Sequence, residues 1–146
     1  MGFICADVIL RGHGGTRRLR MLVDTGATLT WVPEAIAREL GARELGPISI
    51  RVADNRVIER RYGELEVEIM GRRATRLIVF AQEGEEQLLG VDTLEGLLLE
   101  ADPVERTLKP LPHALALVAG CELPSPGEDL RGVVLEDLPL DRGGEP

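Results

Sequence analysis

The stretch "LVDTGATLTWVP" (22–33) drives an apolar strand straight into a carboxylate. Met21, Leu22 and Val23 precede Asp24 directly, so the acid emerges from a segment built for burial. An unpaired charge at such a place is costly. The residues that follow supply partners. The hydroxyls of Thr25, Thr28 and Thr30 can satisfy backbone and carboxylate groups locally, and Gly26 lets the chain turn tightly with its amide toward the acid. Taken alone, Asp-Thr-Gly is also an ordinary turn. The strand in front of it argues for more, namely a carboxylate held rigidly among arranged partners. The triplet occurs once, since Asp92-Thr93-Leu94 is not a second copy.

The chain around this stretch reads as β-structure. "FICADVIL" (3–10) is a strand, "GHGG" (12–15) a turn and "TRRLRMLV" (16–23) a second strand. The glycines make no phosphate cradle, because Arg17 takes the third glycine place of G-x-G-x-x-G and no helix follows. "PEAIAREL" (33–40) predicts a short helix ended by Gly41, with Ile36 and Leu40 toward the core. "ISIRVA" (48–53) and "RVIERRY" (56–62) flank Asp54-Asn55, where a tight hairpin is expected. "GELEVEIMGRRATRLIVFA" (63–81) predicts another hairpin around Gly71. "EQLLGVDTLEGL" (86–97) predicts an apolar strand, a Gly and a short helix with Asp92 as its N-cap. "LLLEADPVERTLKP" (97–110) predicts two short strands around Asp102-Pro103. Trp31, the single Trp, is expected to pack in the core beside the first helix.

Composition limits the function classes. A net charge of −8 argues against general nucleic-acid binding, and the Arg17, Arg18, Arg20 cluster reads as a solvated strand face. No apolar run approaches the roughly 18 residues of a membrane span, and "MGFICADVIL" does not read as a signal peptide. Cys5 and Cys121 lie far apart and His13 and His113 are isolated, which predicts a reduced, cytoplasmic protein with no metal site and no catalytic Cys–His pair. Sixteen of the seventeen basic residues are Arg, a bias that fits a GC-rich or heat-adapted bacterium. Residues 111–146 hold five of the nine prolines and carry a balance of −5. They are expected to form an acidic, Pro-rich extension, largely flexible from about 124, beyond a folded domain 1–110. Within the extension "ALALVAG" (114–120) is a candidate interface strand or cleft cover.

Taken together, "LVDTGA" with Thr28, the hairpin around "VADNRV", "GELEVEIMGRRATRLIVF" and "LLGVDTLEGLLLEAD" resemble the retropepsin-like aspartic proteases, single-domain relatives of pepsin, over about residues 5–110. The resemblance implies an all-β fold: a closed acid-protease-like β-barrel with a flap hairpin and one or two short helices, assembled as a C2 homodimer. It implies an aspartic endopeptidase that hydrolyses peptide or unfolded-protein substrates with water activated between two Asp24 carboxylates, without cofactor or metal. A chain with one Asp-Thr-Gly obtains the second acid from its partner. By the same resemblance Thr25 bonds across the interface, Gly26 orients the carboxylates and Ala27 contacts substrate backbone. Val52, Ala53, Asp54 and Asn55 form the flap tip over an extended peptide. The tip departs from the glycine-rich flaps of viral members, and Asn55 is the residue able to turn left-handed. The competing reading is a catalytically silent, retropepsin-shaped dimerisation or peptide-binding module.

Overall fold

A computed structural model describes residues 3–116. The predicted "ALALVAG" beyond Ala116, Cys121 and the acidic extension lie outside the described residues. All elements fall in the unit Met1–Ala114. In chain order they are β1 (Cys5–Gly12), β2 (Gly15–Val23), β3 (Thr30–Pro33), α1 (Glu34–Glu39), β4 (Arg43–Arg51), β5 (Val57–Ile69), β6 (Arg72–Ala81), β7 (Leu88–Leu89), α2 (Val91–Gly96), β8 (Leu99–Asp102) and β9 (Thr107–Pro110). The protein is therefore mostly β with two short helices.

Seven strands form one sheet in the order β1-β2-β7-β3-β6-β5-β4, and β1 also pairs β5 through Ile9–Arg11. The pairings thus lead from β1 through five strands and back to β1, with β4 attached outside this circuit along β5. β8 and β9 make a separate two-stranded ribbon. Alternation explains the inward face. β1 buries Ala6, Val8 and Leu10, and β5 buries Leu65, Val67 and Ile69. Their outward neighbours Arg11, Glu66 and Glu68 form ion pairs. With so few aromatic residues the core rests on aliphatic chains plus Phe80, each worth roughly 1.5–3 kcal/mol when fully buried.

The turn at His13-Gly14 joins β1 to β2 in register Gly12↔Gly15, and Gly14 N–H donates to Leu40 O at 3.0 Å. The glycine cluster is a hairpin turn, as expected, and it packs on the end of α1. α1 ends at a left-handed Gly41 (φ 80°), with Leu40 buried and Ile36 against the core.

Three expectations need correction. First, Pro33 does not open the helix but closes a strand, β3, which runs parallel to β6 and antiparallel to β7. Its Thr and Pro signals conceal a four-residue segment that buries Thr30 and Val32. Second, β5 does not break at Gly63. A Cβ there would lie 2.3 Å from Arg43 O, so the glycine admits β4 where a bulge sits between Glu44 and Gly46. Pro47 is tolerated because β4 pairs with β5 alone, leaving its other edge free of ladder bonds among the described residues. Third, the hairpin loop spans 52–56 rather than two residues. Val52 N–H donates to Arg56 O (2.9 Å) and Asn55 N–H to Val52 O (2.8 Å), with Asn55 left-handed at φ 75°. Asp54 Oδ1 accepts Arg56 N–H at 3.1 Å, a local bond that favours the wider turn.

Candidate active site

Asp24 follows β2 directly and its backbone N–H donates to Leu89 O at 3.0 Å. The sheet thereby fixes the acid's backbone through β7. Gly26 N–H donates to Asp24 Oδ1 at 2.9 Å and Ala27 N–H to Asp24 O at 3.1 Å. The first bond holds the carboxylate and the second closes the turn. Asp24 is half-buried, while Thr25 and Gly26 are exposed.

The loop after Asp24 is fastened to the start of α2. Val91 N–H donates to Ala27 O and Asp92 N–H to Thr28 O, both at 2.9 Å. Thr30 Oγ1 accepts Gly90 N–H at 3.0 Å and pairs with Thr93 Oγ1 at 2.6 Å, both hydroxyls being buried. A Cβ on Gly90 would lie 2.4 Å from Leu29 O, so only glycine lets the two segments approach this closely. Thr30 satisfies a backbone group as expected, but a distant one; its partners Gly90 and Thr93 are positioning residues that sequence reasoning missed. The available signal was a lone Gly between an apolar strand and a helix, with a Thr three residues on.

Asp92 is not the N-cap of α2. Gly90 occupies that place with no side-chain bond, and Asp92 lies in the first turn, its Oδ2 3.3 Å from Arg76 Nη2. That contact has ion-pair distance without hydrogen-bond alignment. The bonds at the helix start come instead from the loop carbonyls of residues 27 and 28, which leaves the Asp92 side chain free to reach β6.

Above Asp24 opens a cleft of about 940 Å³, bounded by the 24–31 segment, the β4–β5 hairpin and the 82–88 segment. Asp24, Gly26, Ala27, Val52 and Ala53 line it together. Thr25, Asp54 and Asn55 do not. Arg56 Nε donates to Asp54 Oδ2 at 2.6 Å, and Arg51 donates to Asn55 O at 3.1 Å, so both residues serve the hairpin's own turn. The Arg56 side chain, with its amide, holds the Asp54 carboxyl below the usual carboxylate range. Ala27 has both backbone groups engaged within the chain, leaving the cleft its methyl and the second lone pair of its carbonyl.

Trp31 lines the cleft instead of the core. β3 buries Thr30 and Val32 on its inner face, and alternation turns the half-buried Trp31 outward against Leu88 of β7. Leu29, Ile48, Ile50 and Ile58 make the remaining lining largely apolar. Charged side chains also reach the wall: Arg51 and Arg56 from the hairpin, Glu86, and Arg60 with Glu85. The Arg60 guanidinium, helped by Gln82 N–H, holds the Glu85 carboxyl below its ordinary range.

Among the described residues no group of three or more His, Cys, Asp or Glu is placed to hold a metal ion. Cys5 is exposed on β1, outside the cleft lining. No described helix is long and apolar enough to cross a membrane.

A carboxylate fixed at a strand end thus faces an open, largely apolar cleft beside a hairpin. Comparison with curated proteins finds no match. Comparison with protein families finds one over residues 12–96, more than half of the chain, described as "gag-polyprotein putative aspartyl protease". The matched span runs from the first hairpin through Asp24 to the end of α2, and the chain belongs to this retropepsin-like aspartic protease family.

Proposed function

We propose that the protein is an aspartic endopeptidase, active as a homodimer in which two Asp24 carboxylates meet on the two-fold axis. The observation that carries the proposal is Asp24 itself. It is held by Gly26 N–H at the floor of an apolar cleft roofed by the β4–β5 hairpin. Exposed Thr25 and Gly26 sit beside it, available to a second copy. In this reading residues 1–110 are the catalytic domain, the circuit of strand pairings is a closed barrel, and 111–146 are an extension.

Two carboxylates a few ångströms apart resist ionising together and share one proton. The ionised Asp24 takes a proton from a water between them, and that water attacks the scissile carbonyl carbon. The protonated Asp24 donates to the carbonyl oxygen. Collapse of the tetrahedral diol expels the amine, which takes its proton from one Asp24 while a diol hydroxyl gives its proton to the other, so the dyad regains its single proton and no acyl-enzyme forms. The macroscopic pKa values belong to the pair. An extended peptide lies between Ala27 on the floor and Val52 and Ala53 of the hairpin, which acts as a flap. Ile48, Ile50, Trp31 and Leu88 take its side chains.

The test is cleavage of an unfolded protein between pH 3 and 8, with the dimer verified, beside Asp24→Asn. Cleavage by the wild type alone supports the proposal. No cleavage by an intact dimer favours the silent module, and a monomer refutes the shared dyad.

A further inference from the structure

Arg60 stands where the β4–β5 hairpin meets the 82–87 loop. Its partner across the hairpin is Ile48, and Ile50 pairs with Ile58. Arg60 and Ile58 therefore share one face of β5, and both line the cleft. An arginine on this apolar face, with a side chain only 14% exposed, requires a partner. Glu85 provides it from the far side. Arg60 Nε donates to Glu85 Oε1 at 3.2 Å, and Nη2 meets Oε2 to complete a two-point contact. Arg60 Nη1 donates to Glu59 O at 2.7 Å, and Glu85 Oε1 also accepts Gln82 N–H at 2.8 Å.

Two consequences follow from this bonding. The pair carries no net charge, and each guanidinium nitrogen makes one bond within the chain. Its two-point geometry also holds the guanidinium plane in place, which a single contact would not. Arg60 further borders a second hollow of about 230 Å³, lined also by Pro47, Phe80 and Gln82 and by the charged Glu34, Glu59 and Arg61. The same side chain is thus a wall of both cavities.

We propose that the Arg60–Glu85 bridge is a partition that ends the catalytic cleft and limits the size of the substrate side chain accepted at that end. The proposal rests on the peptidase reading for its substrate, a peptide with a small or medium aliphatic residue at the bounded position. Arg60 acts here as a specificity-determining residue, not a catalytic one. Shortening it would join the two hollows and admit an aromatic side chain. Replacing it with Met would keep most of the volume while removing the charge.

The experiment compares wild type, Arg60→Ala and Arg60→Met on a peptide panel carrying Ala, Val, Phe or Trp at each position in turn, after thermal melts verify folding. Relative kcat/KM is read by competition. In Arg60→Ala the preference for Phe and Trp over Ala and Val is expected to rise about tenfold or more at one position. Arg60→Met should stay within about threefold of the wild-type ratio, since it keeps the wall. An unchanged profile in a folded Arg60→Ala overturns the partition, as does an equal change in Arg60→Met. If the wild type cleaves no peptide, the peptidase reading fails separately. The same panel is then titrated against Trp31 fluorescence, where bulky peptides must gain affinity over small ones in Arg60→Ala, and equal ratios overturn the partition.

Discussion

Replacing Gly90 with Ala adds a single methyl group at the point where α2 meets the Asp24 loop. The backbone there is extended (φ −92°, ψ 173°), so Ala meets no conformational penalty and any effect is steric. The new Cβ would lie 2.4 Å from Leu29 O, 2.5 Å from Leu29 C and 2.9 Å from Ala27 O. All three are backbone atoms, and no rotamer change relieves them. Ordinary contact begins at 3.4 Å, so the segment must retreat by about 1 Å. That retreat strains Gly90 N–H to Thr30 Oγ1, Val91 N–H to Ala27 O and Asp92 N–H to Thr28 O.

Overpacking of this kind costs about 1–3 kcal/mol. For a body of this size that lowers Tm on the order of 5–15 °C. The same displacement reaches Asp24 through Ala27, and a misplacement near 1 Å costs about 10²-fold in rate. The assay pairs thermal melts with kcat on one peptide, measured well below the variant's Tm. Gly71→Ala is the control. It forces a Cβ onto φ 79° with nothing within 4 Å, so it destabilises without touching the loop. Gly90→Ala is expected to lose both stability and kcat, and Gly71→Ala stability alone. Full kcat in a destabilised Gly90→Ala would refute the claim that the start of α2 positions the acid.

Other perturbations separate chemistry from scaffold. Asp24→Asn keeps an oxygen to accept Gly26 N–H, so Tm should move little while cleavage falls on the order of 10³-fold or more; comparable cleavage in both proteins would exclude Asp24 as the acid. Thr30→Val strands both Gly90 N–H and Thr93, whereas Thr93→Val removes one hydroxyl bond and leaves Gly90 satisfied. Each should cost about 1–3 kcal/mol by chemical denaturation, with Thr30→Val the larger, and the reverse order would contradict the network. Glu44 lies between Arg61 and Arg38, which hold its carboxyl below the usual range. A depressed folded pKa stabilises above the unfolded pKa and is lost as pH falls through the folded one. The Tm gap between wild type and Glu44→Gln should therefore be present at neutral pH and vanish in acid; a gap independent of pH would assign the effect to packing.

The parts of the site legible in the sequence are those carried by neighbours in the chain. Asp24 stands out because Met21, Leu22 and Val23 demand burial immediately before it, and Gly26 lies within reach of its own carboxylate. The arms of β5 and β6 stand out because alternation is local. The illegible parts depend on what crosses from elsewhere. Gly63 reads as a break until β4 bulges against it, and Trp31 reads as core until β3 is known to face inward through Thr30 and Val32. Asp92 reads as a cap until the carbonyls of residues 27 and 28 take over the helix start. Arg60 and Glu85 are 25 residues apart, and each alone resembles a solvated charge. The physical reason is common to all four. A side chain's partner decides whether it is a surface group or a wall, and sequence periodicity specifies a face without specifying what lies opposite it. The acid can therefore be found from one strand and one turn, while the shape of the cleft beside it is a property of pairings between distant segments.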